Sequence, residues 1–276
     1  MTAATSGEPR RWAVLIAIGI VGGVLSGVFA IGGGIIMVPL LTTFAKLNQR
    51  VAAATSLAAI VPTAIVGSIA YLVAGEIDLV AGLFISIGAV VGAIAGSALL
   101  KRIPLFWLRW MFIAFILLVA VRLILVAPER GNSLQFSALV ALGYVGLGLG
   151  MGVLSGLFGI GGGIVAVPAL VGLFAISDLV AKGTSLVVMI PTSAIGTVAN
   201  WRASTVDVRA GLLIGVAATA ASIPGAALSL ALPARLSGIL FALLLVAVAA
   251  QLTYKAVKAP KNARQIGAGT NLAGKE

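Results

Sequence analysis

Two glycine runs hold the residues best suited to chemistry. Ile31-Gly32-Gly33-Gly34 stands before Val38-Pro39, and Ile160-Gly161-Gly162-Gly163 stands before Val167-Pro168. Neither is a nucleotide loop: a dinucleotide fingerprint follows a strand and has an acidic partner about 20 residues on, and a phosphate loop ends in Gly-Lys-Ser/Thr. In an apolar segment, a glycine break frees backbone N–H groups at the start of the next half-helix, where the positive end of the helix dipole favours an anion. The same glycines also suit close helix packing through small residues. Hydroxyls follow each run at matching distances: Thr55-Ser56 and Thr184-Ser185, then Pro62-Thr63 and Pro191-Thr192-Ser193. A half-helix from Ile35 to Ala45 rises about 16 Å, and residues 51–62 return about as far, which brings Pro62-Thr63 back to the level of the first glycine run. Proline frees a backbone carbonyl and neighbouring hydroxyls can donate to an oxyanion, although a hydroxyl in a membrane helix is more often satisfied by its own i−4 carbonyl. The candidate substrate-binding residues are therefore Gly32, Gly33, Gly34, Thr55, Ser56, Thr63, Gly161, Gly162, Gly163, Thr184, Ser185, Thr192 and Ser193.

Other chemistries lack their residues. The chain has no cysteine and no histidine, which removes thiolate nucleophiles, disulfides, Cys-ligated metals and the commonest catalytic base. No catalytic residue, metal or cofactor is expected, and the protein is not expected to be an enzyme. The seven acids, Glu8, Glu76, Asp78, Glu129, Asp178, Asp207 and Glu276, fall at the ends of apolar tracts or in tails. A buried carboxylate acting as proton carrier is thereby disfavoured. Lys182 and Arg202 flank the sixth apolar segment and have no basic counterpart in the first half of the chain. They could draw an anion into a vestibule, or simply snorkel to the interface. Asn200-Trp201 reads equally well as an interfacial anchor.

The elements that position these residues are set by lipid. Hydrophobic residues make up 61% of the 276 and charged residues 9%, with a mean hydropathy of +1.21; soluble domains are about a quarter charged. The net charge of +11 is scattered between apolar tracts, not gathered on one face, which argues against nucleic acid. The N-terminal apolar run is too long for a signal peptide and reads as the first membrane segment. Against itself the sequence aligns at a constant offset of 129, with 20 identities over the 46 positions from 26–71 and 155–200. The chain is a tandem duplication, with a first repeat over 1–131 and a second, ending in a basic tail, over 132–276.

Each copy holds one long glycine-interrupted tract and three apolar segments: 12–45, 51–75, 79–100 and 104–127, then 134–177, 179–201, 208–232 and 236–256. Trp12 to Ala45 is free of charge; as one helix it would span about 51 Å against a hydrocarbon core of about 30 Å. A re-entrant hairpin turning at the glycines resolves the excess. It also places fourteen of the 18 basic residues on one side, where eight simple crossings would place eleven, in keeping with the positive-inside rule. Each copy then makes an odd number of excursions, so the second enters the membrane upside down. The expected fold is an all-α integral membrane protein of two tandem inverted repeats, each a glycine-broken re-entrant helix hairpin plus three transmembrane helices.

The twin glycine-proline motifs, each followed by Thr-Ser-Leu (Thr55-Ser56-Leu57 and Thr184-Ser185-Leu186), resemble those of the sulfite exporter TauE/SafE family, also called DUF81 or TSUP permeases. The resemblance covers about residues 13 to 256. It implies a multi-pass transporter of the bacterial inner membrane, from a family associated with sulfite, sulfoacetate and related sulfur-containing anions. The residues themselves reach only a small anion. Together they lead us to expect a secondary transporter of a small anion, sulfite or an organosulfonate, working by alternating access between inverted repeats. An anion channel and a membrane scaffold without transport are the competing readings. The expected partners are the small anion and the lipid bilayer, with no nucleic acid; a homo-oligomer is left open.

Overall fold

The structure, a computed structural model, describes residues 8–125 and 137–270. The expected boundary between repeats at 131/132 lies outside the described residues, as do Glu129, Arg130, Lys275 and Glu276. Among the described residues every regular element is a helix. The first copy gives α1 (Glu8–Phe29), α2 (Gly34–Thr43), α3 (Gln49–Val73), α4 (Leu79–Arg102) and α5 (Leu105–Leu125). The second gives α6 (Ala138–Phe158), α7 (Gly163–Phe174), α8 (Asp178–Trp201), α9 (Val208–Ala231) and α10 (Ala234–Thr270). Seven of these are long and apolar enough to cross a membrane. α10 stays helical through Lys255, Lys258, Lys261 and Arg264, the segment read from sequence as a tail.

Both long tracts break at their glycines, and the arms are unequal. α1 has 22 residues and α2 only 10; α6 has 21 and α7 has 12. At about 1.5 Å per residue the short arms reach about 15 to 18 Å, half a bilayer core. Side-chain caps start α3, α4, α8 and α9. Asn48 accepts from Val51 N, Asp78 from Ala81 N, Ser177 from Val180 N and Asp207 from Ala210 N, each filling one of the amides that a helix start leaves unbonded.

Small residues set how the copies join. Gly19, Gly23 and Gly27 of α1 meet Ile214, Ala218 and Ser222 of α9 in the same order, so these helices run parallel. Gly88, Gly92 and Gly96 of α4 likewise follow Val145, Leu149 and Val153 of α6. A Cβ on any of these glycines would collide with partner backbone, so close packing through small residues runs along these spaced single glycines as well as at Gly33, Gly34 and Gly163 of the glycine runs. α3 and α8 instead run antiparallel: Leu57 lies beside Gly196, Leu186 beside Gly67 and Tyr71 beside Gly183. Each of these junctions pairs helices of different copies.

α5 and α10 pack on each other and cover the hairpin ends. Phe112 of α5 meets Phe158 at the end of α6 with ring centres 5.1 Å apart, and Phe241 of α10 meets Phe29 at the end of α1 at 5.0 Å. Because 112 and 241, and 29 and 158, differ by 129, the aromatic contacts obey the sequence repeat.

Candidate functional site

The two hairpin tips meet in the middle of the molecule. The chain leaves α1 through Ala30, Gly32 and Gly33, with φ of 53°, 70° and 71°, and leaves α6 through Gly159, Gly161 and Gly162, with φ of 71°, 75° and 94°. Three left-handed residues within a stretch of four reverse the chain direction, and glycine reaches that region without the clash a Cβ brings. Ala30 adopts it without that freedom. α2 then begins with Ile36 N and Met37 N both donating to Gly33 O, and α7 with Val165 N and Ala166 N donating to Gly162 O. The amides of Gly34, Ile35, Gly163 and Ile164 precede those first bonds, as anion binding at a helix start requires.

Each tip is tied down by a serine of the other copy. Ser56 Oγ donates to Gly159 O at 2.6 Å and to Ala53 O at 2.8 Å; Ser185 Oγ donates to Ala30 O at 3.0 Å and to Lys182 O at 2.8 Å. The spacing allows nothing larger than glycine, since a Cβ on Gly34 would strike Gly159 O and Ile160 Cα, and one on Gly163 would strike Ala30 O and Ile31 Cα.

The space beside the tips is filled by Ile60 and Met189, fully buried residues 129 apart. Both lie against Gly32 and Gly161, Ile60 also against Gly34 and Met189 against Gly163. The expected level of Pro62-Thr63 is thus held by Ile60, and Thr63 and Thr192 sit about one turn further along α3 and α8. Their hydroxyls back-bond as i−4 donors, Thr63 to Ala59 O at 2.9 Å and Thr192 to Val188 O at 2.6 Å.

The remaining candidates separate. Thr55 Oγ1 accepts from Asp207 N at 3.0 Å and Thr184 Oγ1 from Asp78 N at 2.9 Å, each holding the start of a helix of the other copy. These contacts lie toward opposite ends of the antiparallel pair, each made by the residue just before the serine that holds a tip. Ser193 is fully buried, and its hydroxyl has no hydrogen-bond partner among the described residues. Lys182 is neither snorkelling nor open to a vestibule: it is 2% exposed and paired with Asp178 at 2.7 Å. Asp178 starts its helix as expected, yet its carboxylate turns inward to that buried ammonium. Arg202 is exposed at the end of α8, its backbone N–H donating to Val198 O at 3.0 Å.

Sequence reading missed Ile60 and Met189, and also Ser26 and Ser155. The serines occupy matching positions at the ends of α1 and α6, buried, with hydroxyls lacking partners among the described residues. Their position 129 apart at the opening of the aligned stretch was the available signal. A separate apolar groove of about 490 Å³ opens on the flank of α3, α8 and α9, lined by residues including Ala58, Pro62, Ala194, Trp201 and Leu212. Its lining suits hydrocarbon and offers little to an anion.

The family model described as "Sulfite exporter TauE/SafE" matches residues 2–142 and 144–274. The chain is 27% identical over 268 residues to the probable membrane transporter protein YunE of Bacillus subtilis (strain 168), covering 88% of this chain and 98% of that protein. It is 28% identical over 172 residues to the probable membrane transporter protein YdhB of the same organism, covering 61% of this chain and 70% of that protein. No solved structure gives a significant match.

Proposed function

Because the chain belongs to the sulfite exporter TauE/SafE family of membrane transporters, we propose that it carries a small oxyanion, sulfite or an organosulfonate, across the bacterial inner membrane by alternating access. The observation that carries this reading is the central contact of the tips, with two helix N-termini, two cross-copy serines and the paired side chains Ile60 and Met189 in one buried place. Two half-helix starts supply roughly half a positive charge each. In a low-dielectric setting their amides bind an oxyanion strongly without a full positive charge holding it in place. Ile60 and Met189 act as the plug that such an anion displaces, and Thr63 and Thr192 turn their hydroxyls from the i−4 carbonyls to the bound oxygens. The buried packing of the plug favours a carrier over a channel.

The finer architecture follows from the same reading. We infer two repeats inverted across the membrane plane, with both termini cytoplasmic and the loop carrying Glu76 and Asp78 outside. The antiparallel run of α3 and α8 supports this, because repeats of four simple crossings each would bring those equivalent helices together in parallel. The parallel pairs α1 with α9 and α4 with α6 fit the same scheme.

The test is flux of radiolabelled sulfite, sulfate and organosulfonates into proteoliposomes holding the full chain. Thr63→Val and Thr192→Val keep side-chain shape and remove the donor, and each is expected to weaken substrate binding by about 1 to 3 kcal/mol. Normal binding and flux in both variants and in their combination would place the site elsewhere.

A further inference from the structure

The deepest break in the internal symmetry lies near the start of α8. The Lys182 ammonium has three N–H donors and three acceptors: Asp178 Oδ2 at 2.7 Å, Ser237 Oγ of α10 at 2.9 Å and Ser229 Oγ of α9 at 3.3 Å. Tyr71 of α3 packs against the adjoining Gly183 and donates its hydroxyl to Gly27 O at 3.2 Å. Ser185, less than one turn further along α8, joins Lys182 O to Ala30 O. The ammonium-bearing residue is thus one serine away from the first hairpin tip.

At the positions 129 earlier, Lys182, Asp178, Ser229 and Ser237 are replaced by Ala53, Gln49, Leu100 and Leu108. That copy closes the same helix corner with Arg50, whose guanidinium donates to the backbone carbonyls of Leu100 and Ile103, both at 3.0 Å. The repeat therefore folds there with no buried charge pair, and the fold alone does not call for the one in the second copy.

We propose that Lys182 is an anion-binding residue on the substrate's route, and that Asp178 is its resident counter-ion, displaced when the substrate arrives. This rests on the anion-carrier reading. With its three donors used, the ammonium takes a new ligand only by releasing an acceptor. Asp178 is the exchangeable one, because its side chain is 16% exposed and its carboxylate can turn to water. Exchanging the Asp178 carboxylate for the arriving anion keeps a negative charge beside the buried ammonium, where adding an anion to an uncharged cavity would carry the full desolvation cost. Ser229 and Ser237 then rotate to donate to the newcomer, which selects a small oxyanion with several acceptor oxygens.

The experiment compares Lys182→Met, Asp178→Asn and the double variant in the full chain, in detergent and in proteoliposomes. The double variant removes both charges, so no unpaired charge is left buried to unfold the protein. Binding is read as thermal stabilisation by sodium sulfite and sodium sulfate at fixed ionic strength, and flux is measured separately. Asp178→Asn is expected to bind these anions several-fold more tightly, as the competitor is gone. The double variant is expected to melt like the parent protein but to need at least about tenfold more anion for half-saturation, the loss of about 1.4 kcal/mol. If the pair is only a brace, the double variant recovers melting temperature and anion binding together, and the proposal falls while the carrier reading stands. If the parent protein binds the anions through Lys182 but moves none of them, the carrier reading falls and the binding site stands. Absence of anion binding by the parent protein overturns the proposal.

Discussion

At the centre of the molecule each copy does to the other what is done to it: Ser56 holds Gly159 O while Ser185 holds Ala30 O, and Thr55 and Thr184 receive Asp207 N and Asp78 N. At the periphery the copies part. Arg50 grips backbone carbonyls where Lys182 meets a carboxylate, and Tyr71 reaches Gly27 O where its counterpart Asn200 donates to Gly196 O. Contacts that build the tip crossing are kept in duplicate, and differences gather where each copy faces its own end of the molecule. A duplicated contact is the signature of a shared scaffold; a single one marks a task belonging to one end.

The sharpest way to break this comparison is at the tips. Gly33→Val and Gly162→Val each force a β-branched side chain into a left-handed backbone, costing about 1 to 3 kcal/mol in strain before any collision is counted. Both are expected to abolish flux, measured in proteoliposomes alongside size-exclusion profiles. Loss in one variant and full activity in the other would end the equivalence of the tips. Next in size is an all-or-none labelling result. Ile77→Cys and Val206→Cys stand 129 apart in a protein with no native cysteine; an impermeant maleimide is expected to reach the first only from outside and the second only from the cytoplasm. Labelling of both from one face would sink the inverted arrangement.

Smaller effects sharpen the comparison. Ser56→Ala and Ser185→Ala each strip a tip carbonyl of its cross-copy donor, and each is expected to cost about 1 to 3 kcal/mol of stability. The two losses should be alike in denaturation measurements. Smallest are Asp78→Ala and Asp207→Ala, which remove matching helix caps at about 1 kcal/mol apiece, read as equal drops in melting temperature.

The repeat, the glycine break and most tract limits were legible because they depend on local composition and self-similarity. The first break was expected at Gly32-Gly33-Gly34, and the chain turns from Ala30 to Gly33. Ile60 and Met189 were not legible, since a membrane helix is apolar on its lipid face and its inner face alike. Periodicity that separates core from surface in water carries no such contrast there. The partners of Lys182 were hidden by distance, Ser229 and Ser237 lying 47 and 55 residues further on. For Thr63 and Thr192 the i−4 bond anticipated from general behaviour is the one present.

The parallel seams of α1 with α9 and α4 with α6 entwine the two copies, so neither half buries its small-residue stripes alone. A lone copy would meet that need by pairing with an identical partner, and every side chain would then appear at both ends or at neither. Joining the copies in one chain removes that obligation. If the halves were identical and inverted, the inward-open and outward-open forms would be mirror states of equal energy. On the proposed alternating-access reading, the Lys182–Asp178 pair at one end would lift that degeneracy, giving the two forms different free energies and a preferred resting side even before substrate or gradient acts.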